Sequence, residues 1–179
     1  GLICLENPAA PHNPDKKPLT EYREMGEKHF LHIEYFRIPP RADNELAASP
    51  REFLRKVFWY LSGGANYFDV FNHPPGASYL DAMNEPPPLP WPWLSELELE
   101  FFVSHYARTG FTGGLNWYRS MDLKWEQRKP FEGMQADVPA YFIGSERDVD
   151  LEGFHGEDPI ALMRAIFPNL KDVAMIPKV

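Results

Sequence analysis

The sequence predicts an α/β fold in which mainly parallel strands flank a large helical insertion. Three short apolar runs have the composition of buried strands, at residues 1–5, 138–144 and 173–176. A helix pattern that begins at Asp158-Pro159 lies between the last two runs, and this order is typical of a β-α-β unit with parallel strands. The block between the first two runs has helix signals, which predicts the insertion.

Composition and charge exclude several classes of protein. The chain has 179 residues, of which 44% are apolar and 25% are charged, as in a globular domain with a sizeable core. Its net charge of −8 argues against a nucleic-acid partner, which would require a basic face. Because no apolar run approaches the roughly 20 residues that span a bilayer, we expect no membrane partner. The single cysteine, Cys4, cannot form an internal disulfide, so we expect a cytoplasmic protein.

Both ends of the sequence are apolar runs that resemble buried parallel strands, Gly1–Leu5 and Asp172–Pro177. Domains seldom begin and end inside buried strands, because both edges of the sheet would be bare. We therefore expect this sequence to be a piece of a longer chain.

Turn residues and helix signals follow the first strand. Residues 7–18 contain four prolines among Asn and Asp and are predicted to form turns. Residues 19–36 alternate charged and aromatic side chains and are predicted to form one helix, which Pro39-Pro40 would end. The pattern Ser49-Pro50-Arg51-Glu52 is a capping box with proline at the first helical position, and Gly63-Gly64 marks the end of that helix. Its apolar stripe consists of Phe53, Leu54, Val57, Phe58 and Leu61.

The middle of the insertion is rich in proline. Residues 65–93 have no sustained period and include the run 86–92, which must be extended or polyproline-like. Such a run is either a ligand for an aromatic groove or a stiff loop that wraps on its own domain. We favour the loop, because Trp91, Trp93 and Leu94 are large apolar side chains that need burial.

Two further helices are predicted after this loop. Ser95 and Glu98 form a second capping box, and Gly110 ends the helix that it begins. Residues 114–122 are predicted to form a short helix that carries Tyr118. The apolar stripe of the first of these helices consists of Leu99, Phe102, Val103 and Tyr106.

Common catalytic and cofactor motifs are absent from the sequence. It has neither a G-x-x-x-x-G-K-S/T phosphate loop nor a G-x-G-x-x-G dinucleotide motif. His29 and His32 are three residues apart, but no Cys or acidic cluster completes a metal site, so we expect neither a metal nor a cofactor. There is also no G-x-S-x-G or G-x-D-x-G nucleophile elbow, so these residues include no activated nucleophile.

One acid is well placed for catalysis by its position in the predicted sheet. Asp148 follows strand 138–144 in the polar loop 145–152, and the ligands of open α/β sheets gather at the carboxyl ends of strands. An acid there can orient a catalytic base. By position alone Glu146 and Asp150 are equal candidates, and a solvated loop acid is the alternative.

Tyr118 is a candidate proton donor. A phenol with a pKa of about 10 can donate a hydrogen bond to a substrate oxygen and then give up its proton as that oxygen becomes an alkoxide. The alternative is a half-buried tyrosine that only packs, and from its residue type alone His32 is also expected to be structural. Six aromatic side chains could line an apolar pocket, although most are expected in the core: Phe30, Tyr35, Phe36, Trp59, Trp91 and Trp93.

The sequence around Tyr118 is distinctive. It runs Arg108-Thr109-Gly110-Phe111-Thr112-Gly113-Gly114-Leu115-Asn116-Trp117-Tyr118-Arg119, followed by Met121-Asp122 and Trp125-Glu126. This segment closely resembles the cap-domain signature of soluble epoxide hydrolases, which belong to the α/β-hydrolase superfamily. Residues 1–8 resemble the core strand before the cap, and residues 89–99 resemble the start of a cap helix. Residues 138–148 resemble the strand and turn that bear the acid of the family.

The resemblance implies part of an α/β-hydrolase fold with a helical cap. We expect core residues at 1–18, the cap at 19–134 and a C-terminal core segment at 135–179. In this family a nucleophilic aspartate opens the epoxide by attacking a ring carbon, while cap donors hydrogen-bond the ring oxygen. A histidine that is oriented by an acid then activates water, which releases a vicinal diol. The implied partners are a small apolar epoxide, water and the remainder of the hydrolase core, with no cofactor and no metal.

The site residues of the family are carried over position by position. Tyr118 matches a cap tyrosine, and Asp148 matches the acid that orients the histidine. The other cap tyrosine normally lies four residues before the aromatic residue that opens a Phe-Gln-Glu-Pro-Gly segment. Here Phe36 is that aromatic residue, and His32 occupies the tyrosine position. An imidazole can also donate a hydrogen bond to oxygen, and its strength as a donor would then depend on pH, at values of about 6.5. Tyr35 is the substitute if the helix register shifts.

The nucleophile and the catalytic histidine of the family are expected outside residues 1–179, so this segment alone is expected to be inactive. One alternative is a haloalkane dehalogenase, which would hold its halide with Trp or Asn N–H groups. Another is a non-catalytic cap segment. The resemblance also implies a role in detoxification in the cytoplasm, and it leaves the oligomeric state open, with a homodimer as one option.

Overall fold

The computed structural model describes residues 1–15, 17–151 and 158–177. The chain forms two compact units, one with the strands and one with helices alone. The sheet unit comprises Gly1–Asp15, Leu61–Gly63 and Trp125–Val179. The helical unit comprises Lys16–Tyr60 and Gly64–Lys124. Parallel strands combined with many helices confirm the predicted α/β class.

Short α-helices and one 3₁₀ helix occupy the region between residues 18 and 128. The α-helices, in chain order, are α1 (Pro18–Gly26), α2 (His32–Arg37), α3 (Arg41–Ala48), α4 (Pro50–Leu61), α5 (Tyr79–Ala82), α6 (Glu96–Thr109), α7 (Thr112–Arg119) and α8 (Met121–Arg128). The 3₁₀ helix, Tyr67–Asn72, precedes α5. Within the described ranges, no helix combines the length and the apolar character that crossing a bilayer requires.

The predicted single helix over residues 19–36 is wrong, because the chain forms α1 and α2 with a break between them. Leu31 is extended, with φ of −137°, and the N–H of Phe30 donates to the carbonyl of His73 at 2.7 Å. Phe30 and Leu31 are both buried, and each such burial contributes about 1.5–3 kcal/mol. The break therefore buries two large apolar side chains, and it makes His32 the first residue of α2.

Local patterns do not predict three elements, namely α3, the 3₁₀ helix and α5. The last two have only six and four residues, which are too few to show a helical stripe. Two of them begin at a capping residue instead. The side chain of Asn66 accepts a hydrogen bond from the N–H of Phe68, and that of Ser78 accepts from the N–H of Leu80. Helix α8 is also not predicted, and α7 begins two residues earlier than expected.

Capping and glycine signals correctly predict the longer helices. Helix α4 ends close to the predicted glycine pair. Helix α6 begins with the capping box of Ser95 and Glu98 and ends at Gly110, whose φ of 69° suits glycine. The predicted stripes are too wide, however, because Leu61 and Phe102 are 55% and 38% exposed.

The proline-rich segment is a loop of the helical unit, in agreement with the favoured interpretation. Trp91 and Leu94 are buried. The ring of Trp91 lies 4.9 Å from that of Trp59, and its indole N–H donates to the carbonyl of Pro87 at 3.1 Å. Trp93 is 47% exposed, so its predicted burial is wrong.

The sheet unit contains a parallel sheet with the strand order β1-β2-β3. Its elements are β1 (Leu2–Leu5), β2 (Ala140–Ser145), α9 (Pro159–Ile166) and β3 (Leu170–Ile176). The side chain of Asp158 caps α9 by accepting from the N–H groups of Ile160 and Ala161. These strands and the capped helix were all predicted, and because the strands are parallel their carboxyl ends lie at one edge of the sheet.

A small apolar core forms between β2, α9 and the start of β3. Side chains of the two outer strands are mostly exposed, including Ile3 at 62%, Leu5 at 64% and Ile176 at 45%. The expected burial of the first and last strands refers to the sheet of a longer chain, so for these residues it stays a prediction. The buried members of the core are Ala140, Phe142, Met163, Phe167 and Leu170.

Candidate active site

Four phenol and imidazole side chains meet in the helical unit, and they are named here the tyrosine–histidine cluster. Its members are His32, Tyr67, Tyr79 and Tyr118. Three of them are positioned in the same way, because each is the first residue of a helical element: α2, the 3₁₀ helix and α5. Tyr118 lies in the last turn of α7. Three short helical elements therefore bring together residues from distant parts of the sequence.

Hydrogen bonds link three members of the cluster. The hydroxyl of Tyr67 lies 2.8 Å from Nδ1 of His32 and 2.8 Å from the hydroxyl of Tyr79. Tyr67 and Tyr79 are buried, with 4% and 2% of their surface exposed. Polar side chains in such surroundings are held firmly, since a lost hydrogen bond is not replaced by water.

The rings of His32 and Tyr118 are neighbours, as the resemblance requires. Their centroids are 5.9 Å apart, and the two planes are nearly perpendicular at 89°. The ring of Phe36 packs against Tyr118 at 4.8 Å. His32 and Tyr118 are both partly buried. The structure thus brings two of the three proposed site residues into one cluster.

The surroundings of His32 change its expected titration. Burial lowers the pKa of His32 to about 4, so the imidazole is neutral at pH 7. The pH dependence near 6.5 that its residue type predicts is therefore wrong, because the buried ring is protonated only at lower pH. A neutral imidazole has one N–H donor and one acceptor nitrogen.

Tyr35 does not take the place of His32. It is buried, and its ring contacts those of Phe30, Phe36 and Tyr79. Burial, with a further effect of the Glu45 carboxylate, raises the pKa of Tyr35. Tyr35 therefore belongs to the aromatic core of the helical unit.

Arg119 holds Tyr118 in place from the next position of α7. The guanidinium forms a two-point ion pair with the carboxylate of Asp43 in α3, and its Nε donates to the carbonyl of Phe36 at 3.2 Å. The hydroxyl of Thr112 donates to the same carboxylate at 2.6 Å. Hydrogen bonding by Arg119 lowers the pKa of Asp43 to about 2, so the ion pair persists at neutral pH. Three helices are fixed to one another at the cluster.

The six aromatic residues considered for a pocket form two separate groups. Phe30, Tyr35 and Phe36 pack around Tyr79. The other group consists of three tryptophan rings in tilted contact, with centroid distances of 4.9 and 5.3 Å: Trp59, Trp91 and Trp93. The first group supports the cluster, and the second fixes the proline-rich loop.

Asp148 lies in the turn that follows β2 in the sheet unit. Its carboxylate accepts the N–H of Asp150 at 2.8 Å, and its own N–H donates to the carbonyl of Ser145. The side chain of Asp150 in turn accepts from the Asn7 amide at 3.1 Å. These contacts fix the turn at the carboxyl edge of the sheet. Glu146, the third candidate acid, is exposed.

Glu6 is a second acid at this edge. It follows β1 in a left-handed conformation, with φ of 59°, and its N–H donates to the carbonyl of Ile143 at 2.8 Å. Limited desolvation, followed by a hydrogen bond and charge repulsion from the Asp148 carboxylate, raises the pKa of Glu6. The two carboxyl groups are therefore close enough to interact. Among the described residues, no group of three or more His, Cys, Asp or Glu side chains could hold a metal ion.

Several of these residues are missed by the sequence analysis. Tyr67 and Tyr79 lie in a stretch without periodicity, and the available signals were the capping residues Asn66 and Ser78 just before them. Arg119 lies inside the signature segment, but no local pattern indicates its role. Glu6 has no local signal, because its position depends on the pairing of distant strands.

Comparisons with known proteins support the resemblance. No family model matches the chain. Epoxide hydrolase A of Mycobacterium tuberculosis (strain ATCC 25618 / H37Rv) is 34% identical over 159 residues, which are 82% of this chain and 46% of that protein.

Solved structures extend the similarity to the whole chain. Epoxide hydrolase A from Mycobacterium thermoresistibile has a TM-score of 0.82 and 31% identity, over 99% of this chain and 54% of that one. An epoxide hydrolase from an endophytic Streptomyces has a TM-score of 0.87 and 28% identity, over 98% and 53%. This chain thus spans about half the length of the relatives that it matches. By sequence and structure, the proteins that this chain matches are epoxide hydrolases of the α/β-hydrolase fold, as expected for a chain that corresponds to part of one.

Proposed function

We propose that the whole protein is an epoxide hydrolase that converts a small apolar epoxide into a vicinal diol. The observation that carries this proposal is the pair of His32 and Tyr118, whose rings are in edge-to-face contact in the helical unit. Two adjacent donors are what a ring oxygen needs as it leaves its carbon with a negative charge. The similarity to epoxide hydrolases over nearly the whole chain supports the same reaction.

In the first proposed step, an aspartate elsewhere in the whole protein attacks a ring carbon. The ring C–O bond breaks, and its electron pair goes to the oxygen. Tyr118 hydrogen-bonds that oxygen and gives it a proton, while the N–H of His32 donates a second hydrogen bond. The product is a hydroxyalkyl ester of the aspartate.

In the second proposed step, a histidine of the whole protein takes a proton from water. The resulting hydroxide attacks the ester carbonyl, and the acyl C–O bond breaks. The departing diol oxygen takes the proton back from the histidinium. The new carboxylic acid then loses its proton, and Tyr118 recovers one from solvent, so the net reaction adds one water to the epoxide.

We assign to Asp148 the orientation of that histidine. Its place after β2, at the carboxyl edge of a parallel sheet, supports this role. Its turn contacts with Asp150 and Ser145 support a fixed carboxylate. A carboxylate that accepts the imidazole N–H selects the tautomer that can take a proton from water.

We propose further that residues 19–134 are the cap and that residues 1–18 and 135–179 belong to the core. The helical content of the first range and the parallel strands of the other two support this division. A cytoplasmic location, a role in detoxification and a homodimer complete the proposal. Microscopy of the tagged protein tests its location, and the epoxide sensitivity of cells that lack it tests the role in detoxification. The mass of the protein in solution tests the homodimer.

An isotope experiment on the full-length protein tests the ester mechanism. With styrene oxide in ¹⁸O-water and enzyme in excess over substrate, we expect the first-turnover diol to contain no ¹⁸O, because its new oxygen comes from the aspartate. Incorporation of ¹⁸O in that turnover would mean direct attack by water and would contradict the mechanism. Residues 1–179 alone are expected to show no turnover in the same assay.

A haloalkane provides the comparison with the dehalogenase alternative. That reaction needs indole or amide N–H groups for the halide, whereas the tyrosine–histidine cluster provides phenols and an imidazole. We expect no halide release from 1-chlorobutane by the full-length protein. Halide release faster than diol formation would favour the dehalogenase.

A further inference from the structure

We propose that Asp43 is a positioning residue for the ring-opening step, which holds both ends of helix α7 so that Tyr118 is fixed at the substrate oxygen. The effect of Asp43 on the rate rests on the proposed function. Its effect on the place of Tyr118 does not, because it follows from hydrogen bonds within the helical unit. Asp43 takes no part in the bond changes of the reaction and acts through the helix that carries the phenol.

Helix α7 needs outside support to keep one orientation. Its first turn contains Gly113 and Gly114, and glycine is among the poorest helix formers. Phe111, at the N-cap position, provides no side-chain cap. Of the eight residues of α7, Leu115 is the buried one. A helix held by one buried side chain can still turn about it, so the polar contacts of α7 decide its orientation.

The carboxylate of Asp43, in α3, binds α7 at both of its ends. Its Oδ1 accepts from the hydroxyl of Thr112, the first residue of α7, at 2.6 Å and from Nη1 of Arg119, the last residue, at 3.1 Å. Its Oδ2 accepts from Nη2 of Arg119. Thr112 and Arg119 are about two helical turns apart, so they project from the same side of α7. With both ends bound to one carboxylate, α7 can neither slide nor turn without breaking a contact.

These contacts reach both of the proposed oxygen donors. Tyr118 directly precedes Arg119, so any turn of α7 moves the phenol. Nε of Arg119 donates to the carbonyl of Phe36 at 3.2 Å, and Phe36 belongs to α2, the helix that begins at His32. Asp43 therefore fixes the guanidinium that joins the two helices. A misplacement of a catalytic group by about 1 Å can lower a rate roughly 100-fold, so the attachment matters for the reaction.

The place of Tyr118 is measured by ¹⁹F NMR on the full-length protein with 3-fluorotyrosine at position 118. In the wild type we expect narrow signals, because the ring is held in one place. In Asp43→Asn we expect the linewidth to rise severalfold, since α7 then samples several orientations. Thr112→Val should broaden the signals less. It keeps the ion pair of Asp43 with Arg119, so it tests the inference even where Asp43→Asn destabilises the fold.

Two matched controls remove similar groups elsewhere in the helical unit. Thr109→Val removes a hydroxyl whose hydrogen bonds are to the backbone at the end of α6. Glu96→Gln removes an exposed carboxylate that pairs with Arg51. Both variants should leave the ¹⁹F signals of Tyr118 unchanged. Signals in Asp43→Asn as narrow as those of the wild type would overturn the inference.

Single-turnover kinetics of the full-length protein with styrene oxide test the effect on the reaction. We expect Asp43→Asn to slow formation of the ester intermediate about 10-fold, with the Kd of styrene oxide changed less than about 2-fold, because the donors act mainly in the transition state. Thr112→Val should slow the same step by a smaller factor. A rate in Asp43→Asn within about 2-fold of the wild type would overturn the positioning role.

A Tyr118→Phe background separates positioning from a general loss of structure. In this background Asp43→Asn should slow ring opening at most about 3-fold, because no phenol hydroxyl is left to place and only the contact through α2 to His32 remains. Equal losses in the two backgrounds would mean a general structural effect, which would also overturn the positioning role.

The two proposals fail in different ways. If the full-length protein does not open epoxides but the ¹⁹F signals of Tyr118 broaden in Asp43→Asn, the proposed function is wrong and the attachment of α7 by Asp43 stands. If ring opening depends on Tyr118 but not on Asp43, the role of Asp43 is wrong and the proposed function stands.

Discussion

The imidazole of His32 is surrounded by aromatic rings that change its acid–base behaviour. Its place four residues before Phe36 makes it the candidate donor, and its type predicts a pKa near about 6.5. The folded chain surrounds it with the rings of Tyr67, Tyr79 and Tyr118, and burial lowers its pKa to about 4. Those phenols come from three other elements, so no local sequence pattern could predict this surrounding.

The lowered pKa of His32 makes stability depend on pH. The unfolded chain has the ordinary value of 6.5 and the folded chain a value of about 4, so between these values the unfolded state binds more protons. The contribution of the neutral His32 to the free energy of unfolding is therefore complete above pH 6.5, and it is lost as the pH falls towards 4. The loss approaches about 3 kcal/mol, because one pKa unit corresponds to about 1.4 kcal/mol.

Urea unfolding of the full-length protein at several pH values between about 7 and 4 checks this prediction. The wild type should lose more free energy of unfolding over this range than His32→Gln, which has no group to titrate there. Among the groups that face His32 are the phenols of Tyr67, Tyr79 and Tyr118, and the ordinary pKa of a phenol, about 10, lies far above this range. Parallel pH dependences of the two proteins would contradict the prediction.

Helix α7 carries Tyr118, and Arg119 connects this helix to two others. The guanidinium reaches Asp43 in α3 and the carbonyl of Phe36 in α2, and the side chains of the ion pair are only 16% and 17% exposed. Such a pair differs from an exposed one, because removing one partner leaves the other charge poorly solvated.

We expect Arg119→Gln to lower the free energy of unfolding by about 1–3 kcal/mol and to lower kcat several-fold, since Tyr118 loses its support. Arg51→Gln is the matched control, because Arg51 pairs with Glu96 at an exposed site and should contribute less than about 1 kcal/mol. Denaturant unfolding and epoxide turnover of both variants test this. Equal effects of the two substitutions would contradict a special role for Arg119.

Length and capping together decide which helices the sequence predicts, since α3 and α9 both have eight residues but only α9 begins at a capping side chain. Helices α4, α6 and α9 and the three strands have enough residues, caps or apolar runs to be predicted from local patterns. The 3₁₀ helix and α5 are too short for a period, and they carry Tyr67 and Tyr79. The division of residues 19–36 into two helices is decided by the burial of Phe30 and Leu31, which is a tertiary effect.

At the scale of the whole molecule, local patterns are enough for the α/β class and for a helical block between strands. They are not enough for the site. The proximity of His32 and Tyr118 was expected from the resemblance alone, because nothing in their local sequences links them. The chain also corresponds to about half of its relatives, so the proposed reaction depends on residues of the longer protein.

The rate of ring opening in the full-length protein tests most directly the claim that this chain supplies the oxygen donors of an epoxide hydrolase. In a single turnover of styrene oxide, Tyr118→Phe should slow formation of the ester intermediate by about 100-fold or more, because a general acid contributes at least that factor. Tyr106→Phe, which removes a hydroxyl outside the cluster, should keep the rate of the wild type. A rate of ring opening in Tyr118→Phe within about 2-fold of the wild type would contradict the claim.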